Sequence, residues 1–97
     1  MTKWEDKQLE LEVEKKVTDY AKRLGWIVRK VVFQGRRGAP DRWFFGPGGR
    51  LVIIEFKAPG GVISYHQSKI MKKLKELDFE VHVVDEIAAG KRIFDAA

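Results

Sequence analysis

The sequence predicts an α/β fold, a mixed sheet flanked by helices in the order α-β-β-β-α-β. Three observations carry this reading. Apolar residues recur at helical spacing near the start of the chain and again after residue 64. Three short runs rich in β-branched and aromatic residues lie between those helical stretches, separated by clusters of glycine and proline. A last strand-like run, Glu80 to Val84, follows the second helical stretch. Period 3.6 and period 2 mark helix and strand respectively, and glycine or proline punctuates both.

The first helix is expected from about Trp4 to Leu24, with Val13, Val17, Tyr20, Ala21 and Leu24 as its buried stripe. Gly25 can take the left-handed backbone that ends a helix. Trp26 to Phe33 reads as a strand, Gln34 to Pro40 as a loop, and Asp41 to Phe45 as a short strand. Gly46-Pro47-Gly48-Gly49 has the composition of a hairpin turn. Leu51 to Lys57 is a strongly apolar strand, expected near the centre of the sheet and buried on both faces. Ala58-Pro59-Gly60-Gly61 ends it. A second helix starts at Ser64 and ends near Leu77, with Ile70, Met71, Leu74 and Leu77 on its apolar side. A helical turn from Glu86 to Ala89 or beyond follows the final strand.

Composition narrows the function classes. A chain of 97 residues is expected to form one domain, 1–97. It has no cysteine, which excludes disulfides and thiolate metal sites, and with two histidines a zinc site is not expected. No apolar run reaches the roughly 18–20 residues of a membrane span. The charged first ten residues do not read as a signal peptide. The expectation is a reduced, cytoplasmic protein with no membrane partner. The net charge of +5 permits a polyanion partner without requiring one. Its basic residues cluster at Arg29, Lys30, Arg36, Arg37 and Arg42, and again at Lys69, Lys72, Lys73 and Lys75.

The chemistry-bearing motif is Pro40-Asp41, thirteen residues, then Glu55-Phe56-Lys57. Side chains alternate along a strand, so Glu55 and Lys57 project to one side and Phe56 to the other. Two carboxylates converging with one ammonium form an oxygen site for a hard cation such as Mg²⁺ with a proton handler beside it. That apparatus suits phosphodiester cleavage, in which a metal activates water and offsets charge on phosphate.

The chain resembles the PD-(D/E)XK nuclease superfamily and, within it, the small VRR-NUC domains of phages and bacteria. The resemblance rests on a glutamate eleven residues before Gly25, Gly38-Ala39-Pro40-Asp41-Arg42, the Gly48-Gly49 hairpin, Glu55-Phe56-Lys57-Ala58-Pro59-Gly60, Gln67, and Val83-Val84-Asp85-Glu86-Ile87. It implies a restriction-endonuclease-like αβββαβ core and Mg²⁺- or Mn²⁺-dependent cleavage of DNA, often branched or flapped, leaving a 5′-phosphate. It further implies a homodimer, for which a symmetric four-way (Holliday) junction is a fitting substrate. The rival readings are a flap or fork nuclease, a nuclease subunit of a larger phage assembly, a DNA-binding module without catalysis, and a protein-interaction subunit that retains the fold.

Each candidate residue has a plainer reading beside the functional one. Asp41 reads as a metal ligand, against a turn-forming aspartate. A glutamate at position 55, inside the most apolar strand, needs a compensating cation, against a surface pair with Lys57. Lys57 serves the attacking water or the phosphorane, against a solvated strand end. The Phe56 carbonyl is a further ligand by the resemblance alone. Helical periodicity does not separate Glu14 from Glu10, and the family spacing to Gly25 selects Glu14. Gln67 has two readings of equal standing, a residue facing the active site and the last member of a Ser64–Gln67 capping box. Arg36, Arg37, Arg42 and His66 are candidates for contact with nucleic acid. Trp4, Trp26 and Trp43 read as core or interface residues.

Overall fold

A computed structural model describes residues 3–32 and 42–95. The order along the chain is α1 (Lys3–Arg23), β1 (Ile27–Lys30), β2 (Arg42–Phe45), a 3₁₀ turn (Pro47–Gly49), β3 (Leu51–Phe56), α2 (Tyr65–Glu76), β4 (Glu80–Val84) and α3 (Ile87–Asp95). The four strands form one sheet in the order β1-β2-β3-β4. The β1/β2 and β2/β3 pairs are antiparallel and β3/β4 is parallel. A parallel neighbour requires a crossover, and α2 supplies it.

The alternation of β3 divides the interior. Val52, Ile54 and Phe56 join Val13, Val17 and Ala21 of α1, Phe44 of β2 and Phe94 of α3 in one cluster. On the other face, Ile53 packs with Met71 and Val81, and with the partly buried Trp43, Leu51, Ile70 and Leu74. Two apolar layers thus cover β3, as its continuous run of apolar residues requires. The expectation of a strand buried on both faces is met, with residues 52–56 all buried.

Local chemistry sets the element ends. Gly25 has φ 93°. Its N–H donates to the Lys22 carbonyl (3.0 Å) and the Trp26 N–H to the Ala21 carbonyl (3.1 Å). That is the Schellman pattern, in which the last orphan carbonyls of a helix find donors. The β2–β3 hairpin closes with the Gly46 N–H on the Arg50 carbonyl at 2.8 Å. Gly46 has no room for a side chain, because a Cβ there would enter the Trp26 ring.

Several expected boundaries shift. β1 is four residues long, and Phe33 lies outside the described residues. The expected strand end at Lys57 moves to Phe56. Leu24 and Leu77, expected in the apolar stripes, are 47% and 69% exposed, because each lies past the last helical residue where the chain turns away. Trp26 is core, whereas Trp4 is 71% exposed. The terminal helical turn is a nine-residue helix, α3. No helix among the described residues is long and apolar enough to cross a membrane.

Candidate active site

Glu55 is the buried acid among the described residues, at 8% exposure near the end of β3. An ionised carboxylate in that position costs several kcal/mol unless it is compensated. Among the described residues, Lys57 and Gln67 do so. Lys57 shares its face, as strand alternation requires, with Nζ 3.6 Å from Glu55 Oε1. Gln67 Nε2 donates to the same Oε1 at 2.7 Å.

Gln67 satisfies both of its readings at once. Its backbone N–H donates to Ser64 Oγ (3.1 Å), and its side-chain Oε1 accepts from the Ser64 N–H (2.9 Å). The capping box therefore consumes the amide oxygen and leaves the amide nitrogen for Glu55. The start of α2 and the orientation of the Glu55 carboxylate are fixed by one side chain.

Glu14 is held by a different partner. Its Oε1 accepts from Arg42 Nε in a part-buried ion pair joining α1 to β2. Arg42, a candidate phosphate contact, thus has its Nε on an acid of α1. Strand alternation puts Arg42 on the side of Phe44, toward α1, whereas Glu55 lies toward α2. Glu10 lies elsewhere on α1. It forms a 2.9 Å pair with Lys7 and lines a cleft with Lys3, Asp6, Lys57 and the 58–62 loop. Periodicity alone does not choose between Glu10 and Glu14, and the two acids occupy separate clefts.

His66 is exposed at the start of α2, its ring 5.9 Å from that of Tyr65. Asp41, Arg36 and Arg37 lie outside the described residues. The β2–β3 register ends at Arg42 opposite Ile54, one residue short of Glu55. Among the described residues no three His, Cys, Asp or Glu side chains cluster as metal ligands. The oxygen donor that the described residues place here is the Glu55 carboxylate, with an ammonium and an amide N–H on it, and a carboxylate is the ligand type a hard divalent cation selects.

No family model matches the chain. A relative named "Putative nuclease p44", from Acyrthosiphon pisum secondary endosymbiont phage 1, is 36% identical over 73 residues, covering 75% of this chain and 78% of the relative. A solved structure described as a VRR_NUC domain superposes with a TM-score of 0.83 at 26% identity, covering 90% of this chain and 95% of that one.

Proposed function

The chain belongs to the VRR-NUC family of nucleases, and from that premise we propose that it is a Mg²⁺- or Mn²⁺-dependent endonuclease acting on branched DNA. The observation that carries the proposal is the Glu55 carboxylate, buried at a strand end and met by an ammonium and an amide from two different elements. A satisfied core would not need such an acid, and a hydrophobic residue there would be cheaper.

Glu55 would hold the cation together with Asp41 and the Phe56 carbonyl, and Glu14, which the family spacing selects and which pairs with Arg42 on the α1 side, would assist once that pair opens. The cation, when bound, supplies an activated water and offsets charge on the phosphate. The chain's own groups do the rest. As an ammonium Lys57 orients the attacking water or stabilises charge building on the phosphorane oxygens, and only as a free amine could it take the water's proton. Gln67 keeps the Glu55 carboxylate in one orientation through its hydrogen bond. Attack on phosphorus expels the 3′ oxygen and leaves a 5′-phosphate. One small domain has little surface for reading bases, so phosphates and shape select the substrate. A homodimer would place two such sites about a two-fold axis, which suits a four-way junction.

The test is incubation with labelled four-way junction, flap, fork, linear duplex and single strand, each in Mg²⁺, Mn²⁺ or EDTA, beside Lys57→Ala. Paired, metal-dependent nicks in the junction that vanish in the variant support a resolvase. Preference for flaps or forks keeps the chemistry and changes the substrate. Tight DNA binding without any cut leaves a DNA-binding module or a nuclease that needs a partner.

A further inference from the structure

The helix that carries Gln67 has a second face that the catalytic reading leaves unused. Inward, Gln67, Met71 and Leu74 follow one another at helical spacing toward Glu55 and the core. Residues 65, 69, 72 and 73 fall on the opposite side at spacings of four, seven and eight. They are Tyr65, Lys69, Lys72 and Lys73, and all four are exposed. Tyr65 is 71% exposed and lies at the end of α2 nearest the Glu55 site, two residues from Gln67. Lys69 Nζ stands 5.4 Å from the centre of its ring, and His66 flanks it. Among the residues on this stripe Glu76 is acidic, and it sits at the far end of the helix.

We infer that this outer face of α2 is a track for a DNA strand leaving the active site, with Tyr65 as the platform for an unpaired base beside the branch. The inference rests on the nuclease reading and names the substrate feature it selects. Three lysines in line with no intervening acid match a phosphate backbone by charge. Twelve helical residues extend about 18 Å, enough to span several nucleotides. A tyrosine ring can stack only on a base whose face is open, and a paired base inside a duplex has none to offer. A protruding aromatic beside the site therefore favours, among branched substrates, flaps and forks that carry unpaired nucleotides over fully paired DNA, the four-way junction included. An ordinary solvated lysine face would carry no such preference.

The experiment compares a flap with a single-stranded arm against a blunt duplex of the same sequence, in Ca²⁺ so that neither is cut. Affinity is read by anisotropy across a salt series, and stacking by the fluorescence of 2-aminopurine placed in the arm next to the branch. The variants are Tyr65→Ala, Tyr65→Phe and the triple change Lys69→Gln, Lys72→Gln, Lys73→Gln. The track requires that the triple variant lower the salt slope for the flap by about 2, given about 0.7 for each single-strand phosphate that a lysine neutralises. Tyr65→Ala should weaken flap binding about tenfold and remove the 2-aminopurine quench, while Tyr65→Phe retains both. Binding of the blunt duplex should change less than about twofold in any variant. Equal weakening on flap and duplex, no weakening on either, or a change of oligomeric mass in Tyr65→Ala by sedimentation would overturn the track. Absence of cleavage by the unaltered protein in Mg²⁺, with these differences intact, would instead bring down the nuclease reading alone.

Discussion

The Gln67 side chain joins stability to the candidate chemistry, and two substitutions separate the roles. Gln67→Ala removes the side-chain half of the capping box, its bond from the Ser64 N–H, and the Glu55 bond together, while the N–H of residue 67 keeps Ser64 Oγ. It should cost about 1–2 kcal/mol of stability, seen as a lower urea midpoint, and reduce cleavage as well. Gln67→Glu keeps an acceptor for the Ser64 N–H but puts a second carboxylate against Glu55. The cap is then kept, while repulsion at Glu55 lowers both stability and activity at neutral pH. The Glu14–Arg42 pair allows a similar separation. If Glu14 contacts the cation, the guanidinium competes for its carboxylate, so Arg42→Ala should tighten Mn²⁺ binding about threefold to tenfold by calorimetry. The same change in a Glu14→Gln background should add nothing. A gain that persists there would show that Arg42 acts by its charge alone. The strand motif is legible in sequence because alternation is a strict rule, and it puts Lys57 and Glu55 on one face without further information. The Arg42 partner is not, since no local period links a strand arginine to a helix glutamate 28 residues earlier.

Among the elements, α3 shows where reading by composition stops. The expected terminal turn runs from Glu86 to Ala89 or beyond, and a glycine comes next at residue 90. The helix continues through it because glycine is needed there for close packing. A Cβ on residue 90 would lie 2.5 Å from Val17 Cγ2 and 2.9 Å from Val84 Cγ1. Val17 is fully buried and its β-branched side chain has one strongly preferred rotamer in a helix, so it cannot swing aside cheaply. Gly90→Ala gains about 1 kcal/mol in helix propensity and loses about 1–3 kcal/mol to overpacking. The net expectation is destabilisation by up to about 2 kcal/mol, measured by denaturant unfolding. A stabilised variant would mean that α3 can shift away from α1. Helices α1 and α2 are legible over their central turns, where Val13, Val17 and Met71 keep the stripe facing inward. The reading fails at Leu24 and Leu77, where the period continues one step past the helix that gives it meaning.

At the scale of the whole molecule, the candidate site and the main electrostatic tie stand at opposite ends of the sheet. Glu55 and Lys57 are at the end of β3, whereas Arg50 precedes its first residue and Glu80 opens β4. Arg50 grips Glu80 with two bonds, Nε to Oε1 at 3.0 Å and Nη2 to Oε2 at 2.8 Å. It also donates to the Ile93 carbonyl of α3 at 3.2 Å and lies over the Trp26 ring. One guanidinium thus ties β4, α3 and the start of β1 to the hairpin. The hydrogen bond from Arg50 holds the Glu80 carboxyl below its ordinary value, with a smaller contribution from His82, against the opposing effect of burial. The sign follows from that depression. The unfolded chain protonates first as pH falls, so the stabilisation is complete above the ordinary carboxylate range and is lost as pH drops through the lower folded value. About a third of each side chain is exposed, so solvent screening limits the pair to about 0.5–1 kcal/mol. Glu80→Gln should therefore lower the melting temperature by a few degrees at pH 7. The two proteins should converge only once the pH has fallen below the depressed folded value of Glu80. Mn²⁺ affinity and cleavage per folded molecule should be unchanged. Glu80 pairs with Val52, and Glu55 lies about three residues, roughly 10 Å, further along the ladder on the opposite face. A loss of Mn²⁺ binding in Glu80→Gln at temperatures where it remains folded would show that the two ends of the sheet are coupled, and that the tie positions the site as well as stabilising the fold.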